Sequence, residues 1–243
     1  MPDAIFSHPR LARVYDAVEG DRSDLDVYLG LAAEAGAVLD VGCGTGTLAC
    51  LLAARGVEVL GVDPASASVE LARSKPGAET VRWVVGTAPD AAADTANHHR
   101  FDLATMTANV AQVFLSDADW IRTLRAILVC LRPGGMLAFE TRNPADRAWE
   151  RWTKECSHHV VDAGPEGLVE DWVEVTRVEG ELVTFESPTV FLSDGERVDS
   201  TSTLRFRTRD ALESTLAEAG FGWVEIRELP YAPTRGWLVL AGA

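Results

Sequence analysis

Between Val38 and Gly56 the chain reads VLDVGCGTGTLACLLAARG, and no other segment restricts the fold as much. A short apolar run ends in Gly42-Cys43-Gly44-Thr45-Gly46, and apolar residues at helical spacing follow from Thr47. A strand that passes into a helix through three glycines belongs in an open parallel sheet, where ligands sit at the carboxyl ends of the strands. Glycine at such a turn permits positive φ and lets a ligand touch backbone amides. The spacing is G-x-G-x-G, because Thr47 stands where a dinucleotide fold would place its third glycine.

The first half of the chain keeps that strand and helix rhythm. Strands are predicted near Ala37 to Val41, Glu58 to Val62, Val81 to Val85, Asp102 to Met106 and Met136 to Thr141. Helices are predicted over Thr47 to Arg55, Ser66 to Ser74 and Asp117 to Leu131, the last stopped by Pro133-Gly134-Gly135. Two more, Pro9 to Val18 and Asp24 to Ala35, precede the sheet.

After Thr141 the pattern changes. A helix is expected from Asn143 to about Lys154, and then three alternating runs, LVEDWVEVTRV, ELVTFESPTVFL and RVDSTSTLRFR. Glu179-Gly180 and Asp194-Gly195 have hairpin chemistry, so these runs read as an antiparallel meander. Thr208 caps a helix through Ala219, and strands near Trp223 to Leu229 and Trp237 to Ala241 close the chain. The expected fold class is α/β, a doubly wound, mainly parallel seven-stranded sheet of Rossmann-like type with an inserted antiparallel β meander. The 243 residues are read as one domain: N-terminal helices over 1–36, a cofactor-binding core over 37–143, a substrate-side insert over 144–207, and a closing helix and strands over 208–243.

A second strand end carries an acid, Asp63 in Gly61-Val62-Asp63-Pro64. An acid there is placed to accept hydrogen bonds from both hydroxyls of an unphosphorylated ribose, so the two strand ends together point to an adenosine-type cofactor.

With these residues the chain resembles the class I S-adenosylmethionine (SAM)-dependent methyltransferases of small-molecule type. Asp40-Val41-Gly42-Cys43-Gly44-Thr45-Gly46 matches the family's glycine motif, Gly61-Val62-Asp63 its ribose motif, and LRPGGMLAFET the segment ahead of and along its fifth strand. The resemblance implies SAM as cofactor and methyl transfer as activity. It places Asp40, Gly42, Cys43, Gly44, Thr45 and Gly46 beside the methionine half, Asp63 and Pro64 at the ribose, Thr87 and Ala88 at the adenine, and Thr107 near the methyl. Tyr15 resembles the aromatic that many small-molecule members close over the cofactor. The sequence departs from the family after the third strand, where Gly86-Thr87-Ala88 offers a hydroxyl in place of the usual acid.

For the acceptor side the candidates are Asn109 and Gln112 in the loop after the fourth strand, Arg142 and Glu140 at the end of the fifth, which an internal ion pair or exposed rim explains as well, Trp149, and His158. Histidine titrates near working pH and suits a base; a solvated His158-His159 pair in a loop is the plainer reading. Trp149 and Trp152 read equally as packing of the insert onto the core. Asn-Pro-Pro-aromatic and Pro-Cys motifs, which mark nucleobase methylation, are absent from the sequence.

The expected function is transfer of a methyl group from SAM to N or O of a small-molecule acceptor. The alternatives are a non-catalytic SAM-binding protein and an enzyme acting on a protein or RNA. A nicotinamide oxidoreductase would want G-x-G-x-x-G, and an aminopropyl transferase acids between Thr107 and Gln112. A net charge of −15 argues against nucleic acid, whose binders gain affinity from lysine and arginine. No run approaches the ~20 apolar residues of a membrane span, and no signal-peptide core is present, so a cytoplasmic protein without a membrane partner is expected. Cys43, Cys50, Cys130 and Cys156 lack metal-site spacing and are expected as reduced, buried thiols, with no metal. Oligomeric state is unknown from these features.

Overall fold

The computed structural model describes residues 2–243. Ala4–Ser7 (α1), Pro9–Glu19 (α2) and Asp26–Leu31 (α3) precede the sheet. Strands and helices then alternate: Ala37–Val41 (β1), Thr47–Ala53 (α4), Glu58–Asp63 (β2), Ser66–Ser74 (α5), Arg82–Val85 (β3), Ala88–Ala93 (α6), Phe101–Met106 (β4), Asp117–Cys130 (α7) and Leu131–Arg142 (β5). Lys154–Ser157 (α8) leads into five strands, His159–Asp162 (β6), Leu168–Asp171 (β7), Glu174–Glu179 (β8), Leu182–Phe191 (β9) and Arg197–Arg205 (β10). Arg209–Ala219 (α9), Trp223–Leu229 (β11) and Ala232–Gly242 (β12) complete the chain.

Seven strands form the main sheet in the order β11-β12-β5-β4-β1-β2-β3. The five from β1 to β5 run parallel, and β12 joins antiparallel to β5 and β11. This is the doubly wound architecture expected. In β1, Leu39 and Val41 enter the core on one face and Val38 the core on the other, so the strand is buried throughout. A strand covered on both faces reads as a continuous apolar run, which is why the sequence pattern there was unambiguous. The strand order reverses between β1 and β4, and the crevice at that reversal is where an open sheet binds ligands.

The antiparallel insert is a separate five-stranded sheet, β10-β9-β7-β6 with β8 paired to β9. Helix α2 docks on it through Leu11 and Val14, which pack with Val169 and Phe191. Arg10 and Arg13 of the same helix pair with Glu166 in the loop before β7.

Several local expectations are corrected. The stretch expected as a helix from Asn143 to Lys154 is two 3-10 turns, Pro144–Asp146 and Ala148–Arg151, followed by the four-residue α8. Arg147 stands at φ 48° between the two turns, and the side chains of Asn143 and Thr153 cap separate short segments. The apolar Trp149 and Trp152 do not mark a helix face; their rings pack on Phe206 and Phe185 of the insert. The run from Leu168 to Val178 is not one strand but β7 and β8, separated where the Val173 N–H leaves the ladder for the Ser157 hydroxyl. Pro133-Gly134-Gly135 lies inside β5 and does not end α7. The last carbonyls of α7 accept from the N–H groups of His99 and Arg100, and Gly135 lets β5 pass within contact of the Phe101 carbonyl. The second helix is shorter than expected, since 23–25 is a 3-10 turn. Of the cysteines, Cys43 and Cys130 are buried, Cys50 is half-buried and Cys156 is exposed on α8. Among the described residues no helix is long and apolar enough to cross a membrane.

Candidate functional site

Above the carboxyl ends of β1, β2 and β4 lies a cavity of about 540 Å³, within the range of about 300–1,000 Å³ that small-molecule and cofactor sites occupy. Gly42, Gly44 and Thr45 border it from β1, Asp63 and Pro64 from β2, Gly86, Thr87 and Ala88 from β3, and Ala108 and Val110 from the loop after β4. Pro2, Asp3, Phe6 and Tyr15 close it from the N-terminal helices, and Thr201 and Thr203 from β10.

The glycines of the β1 loop do different things. Gly44 has φ +52° and nothing within 4 Å of where a Cβ would stand, so it presents bare backbone to open space. Gly42 admits Val110: a Cβ there would lie 2.5 Å from Val110 Cγ2, so this glycine lets the β4 loop close on the β1 loop. Gly46 serves packing behind the loop, where a Cβ would meet Trp83 at 2.5 Å and Ala72 at 2.8 Å. It does not border the cavity.

Asp63 is the charged group of this rim. Its Oδ2 accepts from the Gly44 N–H at 3.0 Å and its Oδ1 from the Ala65 N–H at 2.7 Å. An ionised carboxylate has about four lone-pair sites, so two backbone donors leave it capacity for ligand hydroxyls. Burial holds its carboxyl above the usual range, against the pull of those two N–H groups. Open backbone at Gly44, an under-used carboxylate 3.0 Å from it and a cavity around both fit the nucleoside and amino-acid ends of SAM.

The remaining sequence candidates divide. Tyr15, Pro64, Thr87 and Ala88 border the cavity with the glycines and Asp63. Asp40, Cys43 and Thr107 are buried and do not. Asp40 lies beneath the loop, accepting from Thr105 Oγ1 at 2.9 Å, and burial pushes its carboxyl up to about 7. Burial raises the Cys43 thiol as well, which makes it a packing group and not a nucleophile. The Thr87 hydroxyl is spent on Asp90 Oδ2 at 2.6 Å in a capping box, so it is Asp90 that brings an acid to the β3 loop. The Thr-x-x-Asp spacing of that box was the sequence signal for it.

On the acceptor side, Asn109 sits at φ 60° after Ala108 at φ 53°, and the Asn109 N–H donates to Glu140 Oε1 at 2.9 Å. Gln112 is buried, with Oε1 accepting from Arg142 Nη1 at 2.8 Å. Asn109, Gln112, Glu140 and Arg142 are thus brought together at the ends of β4 and β5. Trp149 and His158 are not with them: Trp149 packs edge-to-face on Phe206, and His158 Nε2 bonds Glu170 Oε1 at 2.8 Å. Missing from the sequence reading were Phe6, Val110, Thr201 and Thr203. Two of these had a signal, since Thr201 and Thr203 recur at period two in a predicted strand and so share a face.

Residues 38–135 match the family model described as a methyltransferase domain. A curated relative, the cypemycin N-terminal methyltransferase of a Streptomyces species, is 33% identical over 109 residues, 45% of this chain and 43% of that protein. The chain therefore spans less than half the length of that relative. Among solved structures, the CcbJ methyltransferase from Streptomyces caelestis aligns with TM-score 0.73 at 21% identity, over 96% of each chain. SAM-bound CalS10, an amino pentose methyltransferase from Micromonospora echinaspora, aligns with TM-score 0.69 at 24% identity, over 93% of this chain and 96% of that one. At those identities the two structures speak to the fold alone.

Proposed function

We propose that this chain, which carries a class I SAM-dependent methyltransferase domain, transfers the methyl group of SAM to nitrogen or oxygen of a small-molecule acceptor. The observation that carries the reading is the pairing of Gly44 and Asp63 across one cavity, a bare backbone turn 3.0 Å from a carboxylate with spare lone pairs. In this reading Asp63 holds the ribose hydroxyls, Gly42, Gly44 and Thr45 the methionine half, and Thr87 and Ala88 flank the base. Asp40, Cys43, Gly46 and Thr107 support the loops from behind. Tyr15 packs on Phe6, ring centroids 5.6 Å apart, and the pair covers the bound cofactor.

SAM supplies a methyl group already activated by its sulfonium. What the protein adds is position: a nucleophile held in line within about 3–3.5 Å of its target gains most of the acceleration open to such a displacement. The β4 loop sits between the cofactor rim and the end of β5, so Asn109 is the residue to orient an acceptor, and the buried Gln112 ties that loop to Arg142 of β5. The whole chain acts as one domain, with the 144–207 insert as the acceptor-side wall, because Thr201 and Thr203 border the same cavity as Gly44. A small acceptor suits a cavity roofed by the N-terminal helices, and a strongly acidic surface disfavours nucleic acid. A cytoplasmic setting is part of the same proposal.

The test is calorimetric titration with SAM and S-adenosylhomocysteine (SAH), followed by a turnover assay over a broad panel of small amines and alcohols. Micromolar binding of both, with methyl transfer to a panel member, is expected. Binding with no transfer to any acceptor would move the protein to the non-catalytic SAM-binding class, and absence of SAH binding would remove the site assignment itself.

A further inference from the structure

A cluster of ionisable side chains adjoins the cavity described above through Tyr15, at the ends of β5 and of the N-terminal helices. Glu140 is at its floor, 1% exposed. Tyr15, Arg22, Asp24 and Arg142 are half-buried above it, and Glu19 and Tyr231 are exposed at the rim. These groups come from α2, the turn after it, β5 and the β11–β12 turn, and they act on one another electrostatically. The side chains thus grade from exposed groups to one fully buried carboxylate.

The pairing within the cluster is incomplete at one point. Asp24 accepts from Arg22 Nε at 3.0 Å and Nη2 at 3.2 Å, so those two charges cancel. Arg142 turns away from Glu140, giving Nη1 to Gln112 and lying over the Trp152 ring at 5.2 Å. Glu140 spends Oε1 on the Asn109 N–H, while Oε2 is buried with no hydrogen-bond partner. A carboxylate oxygen left unpaired in the interior costs several times what a typical hydrogen bond contributes. The cluster thus holds three acids against two arginines, with a buried, unpaired acceptor oxygen at its deepest position.

That acceptor is next to the chemistry. Asn109, held by Oε1, stands between Ala108 and Val110, and both of these border the cofactor cavity. Two consecutive non-glycine residues in the left-handed region are strained and persist because Glu140 and the Gly42–Val110 contact hold them. Glu140 therefore stands directly behind the loop whose flanking residues border the cofactor cavity.

Resting on the methyltransferase reading, we propose that the methyl acceptor is a small primary or secondary amine that arrives protonated, and that Glu140 Oε2 is the group that receives its ammonium. The ammonium donates one N–H to Oε2, completing the pairing that the protein alone lacks. Transfer of that proton to Oε2 leaves a neutral carboxyl and a neutral amine, whose lone pair forms the new N–C bond as the methyl–sulfur bond of SAM breaks, giving SAH and a methylated ammonium. An alcohol offers a single neutral donor and gains far less from the same oxygen. Burial that pushes the Glu140 carboxyl up to about 7 suits it to take a proton from an amine near neutral pH.

The experiment uses the full chain saturated with SAH, titrated by calorimetry with two matched pairs, cyclohexylamine against cyclohexanol and glucosamine against glucose. At least one amine is expected to bind at least ~10-fold tighter than its alcohol, the lower end of what a charge-assisted hydrogen bond supplies. Glu140→Gln is expected to abolish that preference while SAH affinity stays at the parent value, because the amide oxygen still accepts from Asn109. As a check that does not depend on the variant folding, a structure of the SAH complex soaked with cyclohexylamine should show nitrogen within about 3.2 Å of Oε2. Equal binding of amine and alcohol, a preference that survives in Glu140→Gln, or failure of both amines to bind SAH-loaded protein overturns the proposal. Failure of the parent to bind SAH is a separate result, read in the first titration, and it defeats the methyltransferase reading beneath it.

Discussion

The two rims of the cavity are made of different material. On the cofactor side, the β1 loop and Asp63 lie on neighbouring parallel strands, and what faces the ligand is mostly backbone, with one carboxylate held by two N–H groups. On the opposite side, Phe6, Tyr15, Val110 and Thr203 come from segments far apart in the chain, and what lines the cavity is side chain, with Asn109 and Glu140 behind the β4 loop. A backbone-built rim depends on local conformation that few sequences adopt, so it leaves a motif. A rim of side chains from distant segments depends on packing, so it can change its chemistry while the fold stays the same. This contrast is why the cofactor can be named and the acceptor only classed.

The sharpest way to break the contrast is inside the glycine motif itself. Gly46→Val puts a branched side chain at φ +80° against Trp83 and Ala72 and should destabilise the fold by ~3 kcal/mol or more. Gly44→Ala, facing open space, should cost only about 1–2 kcal/mol of backbone strain yet lower SAH affinity at least ~10-fold, about 1.4 kcal/mol. Chemical denaturation and calorimetry on both variants check this; equal stability losses would show that the motif is not divided between packing and binding.

The acceptor rim makes the next largest prediction, one of pH. Glu140 has a folded pKa of about 7 against an ordinary value of 4.5. The folded protein therefore binds the extra proton between those values, and the buried charge lowers stability as pH rises through that window. Glu140→Gln should match the parent near pH 4 and exceed it by roughly 3 kcal/mol above pH 8 without ligands. Urea unfolding at the two pH values decides it, and a constant difference at both would mean that the carboxylate is not buried in charge-hostile surroundings.

Returning to the cofactor rim, Asp63→Ala removes hydrogen bonds to a charged group worth about 1.5–3 kcal/mol. SAH affinity should fall ~10-fold or more by calorimetry, and a parent-like constant would mean that this acid serves only to hold Gly44 and Ala65. The smallest effect belongs to His158, whose bond to Glu170 lies outside both rims. His158→Ala should leave SAH affinity unchanged and alter stability by no more than ~0.5 kcal/mol, as exposed pairs do; a larger loss of either would bring the α8 region into the site.

The parallel strands were legible because both faces of β1, β2 and β4 are covered, which forces long apolar runs bounded by turns. The insert was read less well. Its strands are half-exposed, and the break between β7 and β8 depends on the Ser157 hydroxyl, a partner no periodicity reveals. Trp149 and Trp152 looked like the stripe of a helix because tryptophans three apart share a helical face, yet a left-handed Arg147 and the pull of Phe185 and Phe206 produced turns instead.

By itself, then, the amino-acid sequence determined the wound sheet, the open turn at Gly44 and the acid at Asp63, since each follows from backbone preference and burial within a few neighbouring residues. Only the tertiary structure decided that Gly46 serves Trp83, that Asp90 and not Thr87 brings charge to the β3 loop, and that Glu140 ends buried with one oxygen unpaired. Those outcomes depend on which distant side chains meet, and contacts across the fold leave no periodic trace along the chain.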